Sequence, residues 1–309
     1  MPELPDVELY LSALRPRILG NKIERIRLAT PFLLRSVEPP LDTVVGKTIV
    51  ALRRLGKRIV WQFDDPMSAD ELFLVFHLMI AGRFRWRDKG AVVPRRLGLA
   101  AFDFRDATLV MTEAATRKRA SLHVVRGREE LLRHDPGGLE IATATREEFD
   151  AALRRENHTL KRTLTDPHIF SGIGNAYSDE ILHRAKLSPF KLSQQLPQDD
   201  TDKLFEATQA TLAEWTVRLQ EEAAGEFPEK VTAFREGMAV HGRFGKPCPR
   251  CGTAVQRIVH GEHEVNYCPA CQTEGRLLAD RAFSKLLKDD WPRTLDELER
   301  RREKLSKPT

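Results

Sequence analysis

The 309-residue chain has only four cysteines, no long apolar run and no early segment in which basic residues precede an apolar stretch. A membrane-spanning helix needs about 20 predominantly apolar residues, and no stretch approaches that length. A secretory signal would show the basic-then-apolar order. We therefore expect a protein without a membrane partner and with a cytosolic location. Internal repeats are also lacking.

A large excess of charge of one sign is lacking too, since the formal net charge is +5. Positive charge is instead concentrated in the short runs LRRLGKR, ATRKRA and RRLG. Such clusters suit a polyanion such as nucleic acid, although a single basic run is more often a solvated face. The length predicts two or three domains, and the 41% hydrophobic content allows each a sizeable core.

The few cysteines all fall in two C-x-x-C pairs, CPRC and CPAC, separated by sixteen residues. This spacing is typical of a structural zinc site, and a redox dithiol or disulfide pair is the alternative. The segment between the pairs predicts two short strands with a turn at residues 260–262. So small an element has too little core to fold alone, so the metal would supply its folding energy. We predict one structural Zn²⁺ bound by Cys248, Cys251, Cys268 and Cys271.

The hydrophobic pattern predicts an α+β fold. A short helix over residues 10–20 precedes a β-rich region from Lys22 to about Val125, where six to eight strands suggest a two-layer β-sandwich. Helical spacing follows from Ala142 to about Ala233. The predicted segments are an N-terminal sandwich domain (1–135), a helical domain (142–238), a β-hairpin zinc finger (239–275) and a charged tail (276–309).

The helical region contains a glycine turn, Ser171-Gly172-Ile173-Gly174, which predicts a break between two helices. Asp166-Pro167 is interpreted as the start of the first helix and Asn175 as the cap of the second. Backbone N–H groups at such a turn suit a phosphate. Most Gly-x-Gly turns, however, only end a helix.

Four motifs carry a family resemblance: the start MPELPDVE, the segment LGKRIVW, the turn SGIGNAYSDEIL, and HGRFGKPCPRCG followed by YCPACQ. In this order and spacing the chain resembles the formamidopyrimidine-DNA glycosylase and endonuclease VIII family of base-excision repair enzymes, over residues 1 to about 275. The resemblance implies a helix-two-turn-helix domain and a bifunctional DNA glycosylase and abasic-site lyase that removes oxidised bases. It implies damaged DNA as the partner, a monomer and no small-molecule cofactor.

The same resemblance assigns catalytic roles. Once Met1 is removed, Pro2 would be the nucleophile, Glu3 the general acid, and Lys57 would hold a phosphate and aid elimination. An α-amino group with a pKa of about 8 is roughly one-tenth unprotonated at pH 7, far more than a lysine of pKa about 10.4. A secondary amine also yields a permanently cationic iminium, which favours β-elimination. The alternative is that Pro2 and Glu3 only start a helix.

The DNA contacts implied by the resemblance are His77, Lys161 and Asn175 near the backbone, Ile80 as filler of the vacated stack, and Arg117 and Arg119 in a later loop. Ile80 stands where the family usually has methionine, and the loop lacks the usual phenylalanine. Met79 is an alternative filler. Lesion choice and opposite-base preference are therefore open.

The sequence departs from the family pattern at two further positions, Asp6 and His263. Asp6 replaces the usual glutamate of the opening motif. His263 stands where the family has an arginine linked to the second, δ-elimination step, and Glu262 and Glu264 flank it. A neutral imidazole binds phosphate less well than a guanidinium, but protonated His263 could partly substitute. We expect either an enzyme that stops mainly at β-elimination or one that serves a different lesion.

Two other functions stay open. A non-catalytic or weakly active damaged-DNA-binding protein would keep the scaffold, but it would not need Pro2, Glu3 and Lys57. A zinc-ribbon adaptor would leave the N-terminal half unexplained. The tail is read as a solvated helix or a partly disordered end, with auxiliary DNA contact as the alternative.

Overall fold

The computed structural model describes residues 1–66, 68, 70–260, 263–279, 292–298 and 300. It divides into two compact units, Met1–Gly138 with Leu212–Ala233, and Leu139–Thr211 with Phe234–Thr309. Most of the predicted tail lies outside the described residues, and so do Gly261 and Glu262 of the predicted hairpin turn. The bounds of the four segments predicted from the sequence stay predictions. No described helix is both long and apolar enough to span a membrane.

The first unit is a sandwich of two antiparallel four-stranded sheets, as predicted. Its elements are α1 (Leu4–Ile18), β1 (Arg25–Leu28), β2 (Ile49–Leu55), β3 (Arg58–Phe63), β4 (Leu72–His77), β5 (Gly82–Asp88), β6 (Gly98–Asp103), β7 (Ala107–Glu113), β8 (Ser121–Arg126) and the short helix α2 (Arg128–Leu132). One sheet has the order β1-β6-β7-β5 and the other β2-β3-β4-β8. Helix α1 begins at Leu4 rather than near residue 10, because Pro5 fits the first turn of a helix.

Aromatic side chains fill the space between the two sheets. Phe76 of β4 packs against Trp61 of β3 at a ring-centroid distance of 4.6 Å. It also contacts Phe84 of β5 and Phe102 of β6, both at 5.4 Å and edge to face. Tyr10 of α1 packs edge to face on Phe84 at 5.5 Å. This core therefore fixes helix α1, and with it the start of the chain, against the sandwich.

The second unit is helical and carries the zinc hairpin. Its elements are α3 (Arg146–Arg154), α4 (Leu160–Thr165), α5 (Asn175–Arg184), α6 (Gln198–Ala223, counted with the first unit from Leu212 onward), β9 (Gln256–His260), β10 (His263–Tyr267) and α7 (Pro269–Thr273). Phe149 of α3 stacks on Phe170 at 4.9 Å. Strands β9 and β10 pair antiparallel, which confirms the hairpin between the cysteine pairs.

Two helix boundaries around the glycine turn were predicted wrongly. Asp166-Pro167 does not start a helix: α4 ends at Thr165, and Asp166 has extended backbone angles, which proline imposes on the residue before it. The Asp166 carboxylate instead accepts the His168 N–H at 2.9 Å. Gly174, not Asn175, is the N-cap of α5. The two helices flanking a glycine turn are nevertheless α4 and α5.

Candidate active site and metal centre

The residues that follow Met1 are buried and lead into helix α1. Pro2 lies buried immediately before α1, and Glu3 is the N-cap residue with only 3% of its surface exposed. The Glu3 N–H donates to the Asp6 carboxylate at 2.9 Å. Asp6 therefore serves as a helix cap, a role for which its short side chain suffices. On the same helix, Glu8 pairs with Arg54 of β2 at 3.0 Å. Pro2 and Glu3 therefore lie at the start of helix α1, and the hydrogen bonds of that helix also hold them in place as candidate catalytic residues.

Lys57 lies in the tight turn between β2 and β3, where Gly56 adopts a φ of +59°. Burial lowers the pKa of the Lys57 ammonium, and the Glu3 carboxylate works in the opposite direction. Burial also lowers the pKa of the Met1 amino group; Glu3 opposes this, and Arg83 and Lys57 add to the lowering. The structure therefore brings the start of the chain, Glu3 and Lys57 within electrostatic reach of one another.

Arg83 of β5 belongs to this group, and the sequence reasoning missed it. Its guanidinium donates to the carbonyls of Gly82 at 2.6 Å and Ile80 at 3.2 Å. Its positive charge helps to lower the pKa of the Met1 amino group. The signal was the alternation in GRFRWR, because every second residue of a strand shares one face. The alternation predicts which face of the strand carries Arg83, but it does not predict that this side chain lies near the start of the chain.

His77 at the end of β4 is a neutral hydrogen-bond donor. Burial, followed by the charges of Arg58 and Lys57, lowers its pKa to about 4. Its Nδ1 accepts the N–H of Met79 at 3.2 Å, so in the neutral ring the proton resides on Nε2. His77 can therefore offer an N–H to a phosphate oxygen, but it contributes no positive charge at neutral pH.

The loop after His77 exposes an apolar side chain on a strained backbone. Ile80 is 49% exposed, and Met79 has a φ of +52°, a backbone conformation that favours glycine. The turn is closed by a hydrogen bond from the Gly82 N–H to the Leu78 carbonyl at 2.8 Å. An exposed apolar side chain on a closed turn is suited to filling a vacated base stack, so Ile80 stays the predicted filler.

Gly82→Ala is expected to disrupt this loop. A Cβ at position 82 would lie 2.2 Å from the Leu78 carbonyl oxygen, so the turn must open. We expect a loss of about 3 kcal/mol in unfolding free energy together with reduced excision. Gly90→Ala is the control, because its added methyl meets open space at a φ of +75°; about 1 kcal/mol is expected there. Denaturant unfolding measures both, and equal losses would contradict the close-approach argument.

The loop between β7 and β8 rests on a buried carboxylate. Glu113 is 1% exposed, and its carboxylate accepts the N–H groups of Arg119 at 3.0 Å and Ala120 at 3.2 Å. The Lys118 ammonium also bonds to the Glu113 carbonyl. The side chains of Arg117 and Arg119 are exposed and form no ion pair with any described residue. Both arginines therefore lie on a positively charged loop that the Glu113 carboxylate holds in place. Their contact with DNA stays a prediction.

Lys161 and Asn175 are linked inside the second unit. The Lys161 ammonium is buried, 2.5 Å from the Asp179 carboxylate and 2.6 Å from the Asn175 carbonyl oxygen. It therefore ties α4 to the first residue of α5. Asn175 itself is half-buried after the turn at Gly172, whose φ is +78°. Direct contact of Lys161 and Asn175 with DNA stays a prediction.

The four cysteine sulfurs form a compact cluster, all within 4.8 Å of one another. Cys251 and Cys268 are 3.4 Å apart, and Cys248 and Cys271 are 4.0 Å apart. A tetrahedral site with Zn–S bonds of about 2.3 Å requires sulfurs about 3.8 Å apart, whereas a disulfide requires about 2.05 Å. The donor set therefore fits one structural zinc ion, whose contribution is folding energy rather than chemistry at the DNA.

The predicted catalytic residue His263 begins β10, but its side chain and the neighbouring Glu262 lie outside the described residues. On the same strand, Glu264 pairs with Arg257 of β9 at 3.5 Å. The role of His263 stays a prediction.

Three known protein-family models match successive parts of the chain. Residues 1–130 match the family model of the formamidopyrimidine-DNA glycosylase N-terminal domain, 136–224 the H2TH domain of those enzymes, and 245–273 the zinc finger found in FPG and IleRS. The chain is 32% identical over 277 residues to the formamidopyrimidine-DNA glycosylase of Carboxydothermus hydrogenoformans, and 31% identical over 284 residues to that of Thermus thermophilus. These alignments cover 88% and 89% of this chain and 100% of each relative.

Solved structures agree with the sequence relatives. A crystal structure of Lactococcus lactis FPG with FAPY-dG-containing DNA superposes with a TM-score of 0.76 at 26% identity, covering 88% of this chain and 100% of that one. A complex of the Lactococcus lactis enzyme with abasic-site DNA gives 0.75 at 25% identity, covering 88% and 99%.

Sandwich, helix-two-turn-helix unit and four-cysteine hairpin together define a DNA glycosylase of base-excision repair. The chain belongs to the formamidopyrimidine-DNA glycosylase family. The predicted fold, glycosylase function and single structural zinc are thereby confirmed.

Proposed function

We propose that the chain excises oxidised bases from damaged DNA with Pro2 as nucleophile and then cleaves the strand as an abasic-site lyase. The observation that carries this is the buried start of the chain beside Glu3 and Lys57, in surroundings that lower the pKa of an amine. Because a solved relative is a complex with FAPY-dG-containing DNA, ring-opened purines are the first substrate class to test.

The reaction begins when the Pro2 nitrogen, freed by removal of Met1, attacks the sugar C1′. The base leaves with the electrons of the glycosidic bond and takes up a proton. Glu3, adjacent to Pro2, protonates the ring oxygen so that the sugar opens and the C1′–N bond becomes an iminium. The iminium then draws the electrons of a C2′–H bond while that proton passes to solvent, and the C3′–O bond breaks so that the phosphate leaves. Water hydrolyses the unsaturated iminium, which releases the 3′ aldehyde and restores the Pro2 amine.

Two side chains hold the phosphates during these steps. Lys57 is close enough to interact with Glu3, so its ammonium can bind a phosphate while the carboxylate acts on the sugar. His77 can donate its Nε2–H to a phosphate as a neutral group. It lies close to Lys57, whose charge contributes to lowering the pKa of His77. The zinc ion has no step in this reaction.

We further propose a cytoplasmic monomer of 35.2 kDa.

The pH dependence of adduct formation follows from burial of the amine. Removal of Met1 places the free amine at Pro2, next to the groups whose burial and positive charge lower the pKa of the Met1 amino group. The unprotonated amine is the nucleophile. Borohydride trapping on abasic-site DNA should therefore reach half its plateau rate below pH 8, the ordinary α-amino value. A midpoint at or above pH 8 would contradict this account.

His263 predicts that strand cleavage stops mainly at β-elimination, because an imidazole clamps phosphate less well than a guanidinium. Abasic-site DNA should give mostly 3′-unsaturated aldehyde ends on a denaturing gel. His263→Arg should shift the product toward 3′-phosphate, and His260→Arg, at the paired backbone position on β9, is the control for added charge. Mostly 3′-phosphate from the unchanged chain would refute the prediction.

A further inference from the structure

A histidine outside the cysteine motifs touches the metal centre. His183, near the C-terminal end of α5, places its Nε2 3.2 Å from the Sγ of Cys248. Both residues are buried, with exposed fractions of 5% and 2%. The contact joins residues 65 positions apart, so it is a tertiary contact between the helical part of this unit and the first cysteine pair. Neither the cysteine spacing nor the four-sulfur cluster accounts for it.

The chemistry of a zinc-bound thiolate fixes the direction of this contact. A cysteine that binds Zn²⁺ has lost its proton, so its sulfur can only accept a hydrogen bond. An unprotonated Nε2 would direct its lone pair at that sulfur, and the two would repel. The contact is therefore attractive only if Nε2 carries the proton.

We propose that His183 donates its Nε2–H to the Cys248 thiolate and acts as a positioning residue of the zinc centre. Four thiolates and one Zn²⁺ carry a net charge of about −2, and burial makes uncompensated charge costly. A fixed N–H dipole next to one sulfur offsets part of that charge. Such partners of metal ligands commonly change metal affinity about 10- to 100-fold when removed.

Two more residues of helix α5 contact the segment that carries the cysteines. The Glu180 carboxylate accepts the backbone N–H groups of residues 239–241 at 2.7 to 2.9 Å. The Asp179 carboxylate lies 2.8 Å from His241 Nδ1 and accepts the side-chain amide of Asn266 at 3.1 Å. One helix thus holds the residues before the first cysteine pair, the first cysteine itself and strand β10. His183 is the member of this set that contacts a metal ligand.

The test compares His183→Phe with His183→Gln in the zinc-loaded full chain. Phenylalanine keeps an aromatic ring but has no donor, whereas the glutamine amide nitrogen can reach the Nε2 position and donate. With a chromogenic chelator, His183→Phe should weaken zinc binding about 10- to 100-fold, and His183→Gln should stay close to the unchanged chain. His158→Phe is the matched control, because the His158 imidazole pairs with Glu156. Unchanged zinc affinity in His183→Phe would overturn the proposal.

Two spectroscopic measurements separate hydrogen bonding from simple packing. In the Co²⁺-substituted protein, His183→Phe should shift the sulfur-to-cobalt charge-transfer band to lower energy, and His183→Gln should restore it. Nitrogen NMR of the unchanged zinc-loaded protein with labelled histidine should show His183 as the Nε2–H tautomer. That experiment decides the matter even where His183→Phe does not fold. An Nδ1–H tautomer, or a cobalt band that does not move, would refute the assignment.

Discussion

Pro2→Gly is expected to lower borohydride trapping on abasic-site DNA by roughly 10³-fold. Glycine supplies a primary amine, whose imine can lose its positive charge by releasing a proton, and a neutral imine accepts hydride less readily than an iminium. Glycine is also more flexible, and the nitrogen is no longer held beside Glu3. Single-turnover trapping with untagged protein measures the effect.

The control for this variant is Pro5→Ala. Pro5 lies in the first turn of α1 and is also buried, so its replacement affects the start of the helix but leaves the nucleophile. A stability change of about 0.4–1 kcal/mol with nearly unchanged trapping is expected. Should Pro2→Gly trap abasic-site DNA as fast as the unchanged chain, Pro2 cannot be the nucleophile.

Glu3→Gln should separate the two activities. Loss of the general acid is expected to slow base excision by about 10²- to 10⁴-fold. Trapping on DNA that already contains an abasic site should persist, because no base has to leave and the open-chain aldehyde is already present. Glutamine keeps the size of the side chain, and both halves of the capping box survive: the N–H of residue 3 still donates to Asp6, and the glutamine carbonyl oxygen can still accept the Asp6 N–H. Base release and trapping are measured on matched oligonucleotides.

Glu8→Gln is the matched control on the same helix. Its carboxylate pairs with Arg54, and Arg54 keeps a second bond to the Gly56 carbonyl at 3.0 Å. A loss of about 1 kcal/mol in stability with unchanged excision is expected. If Glu3→Gln excises bases at the full rate, or if Glu8→Gln is equally slow, the assignment of the general acid to Glu3 fails.

The parts that the sequence predicted well are those with short-range physical rules. The metal site follows from two C-x-x-C pairs, because a tetrahedral ion needs two ligands from each tight turn. The sandwich follows from period-two alternation. Local rules can also point two ways: Asp166-Pro167 is compatible with a helix start or a helix end, and the Asp166 backbone ended α4.

What the sequence could not reveal depends on contacts between distant residues. The ion pair of Lys161 had no signal in the sequence, because its ammonium lies 2.5 Å from the carboxylate of Asp179, eighteen positions away; a contact of Lys161 with DNA stays a prediction. The low pKa of His77 arises from burial and from its neighbours in space. Arg83 and His183 carry no motif, and only the fold brings them to the start of the chain and to Cys248.

The nature of the covalent bond to DNA is the central claim, and one measurement tests it most directly. The borohydride-reduced adduct of abasic-site DNA with untagged protein is digested, and the modified peptide is identified by mass spectrometry. A peptide that begins at Pro2, lacks Met1 and carries the sugar fragment on its terminal nitrogen is expected. The same fragment on Lys57, with Met1 still in place on active protein, would contradict it.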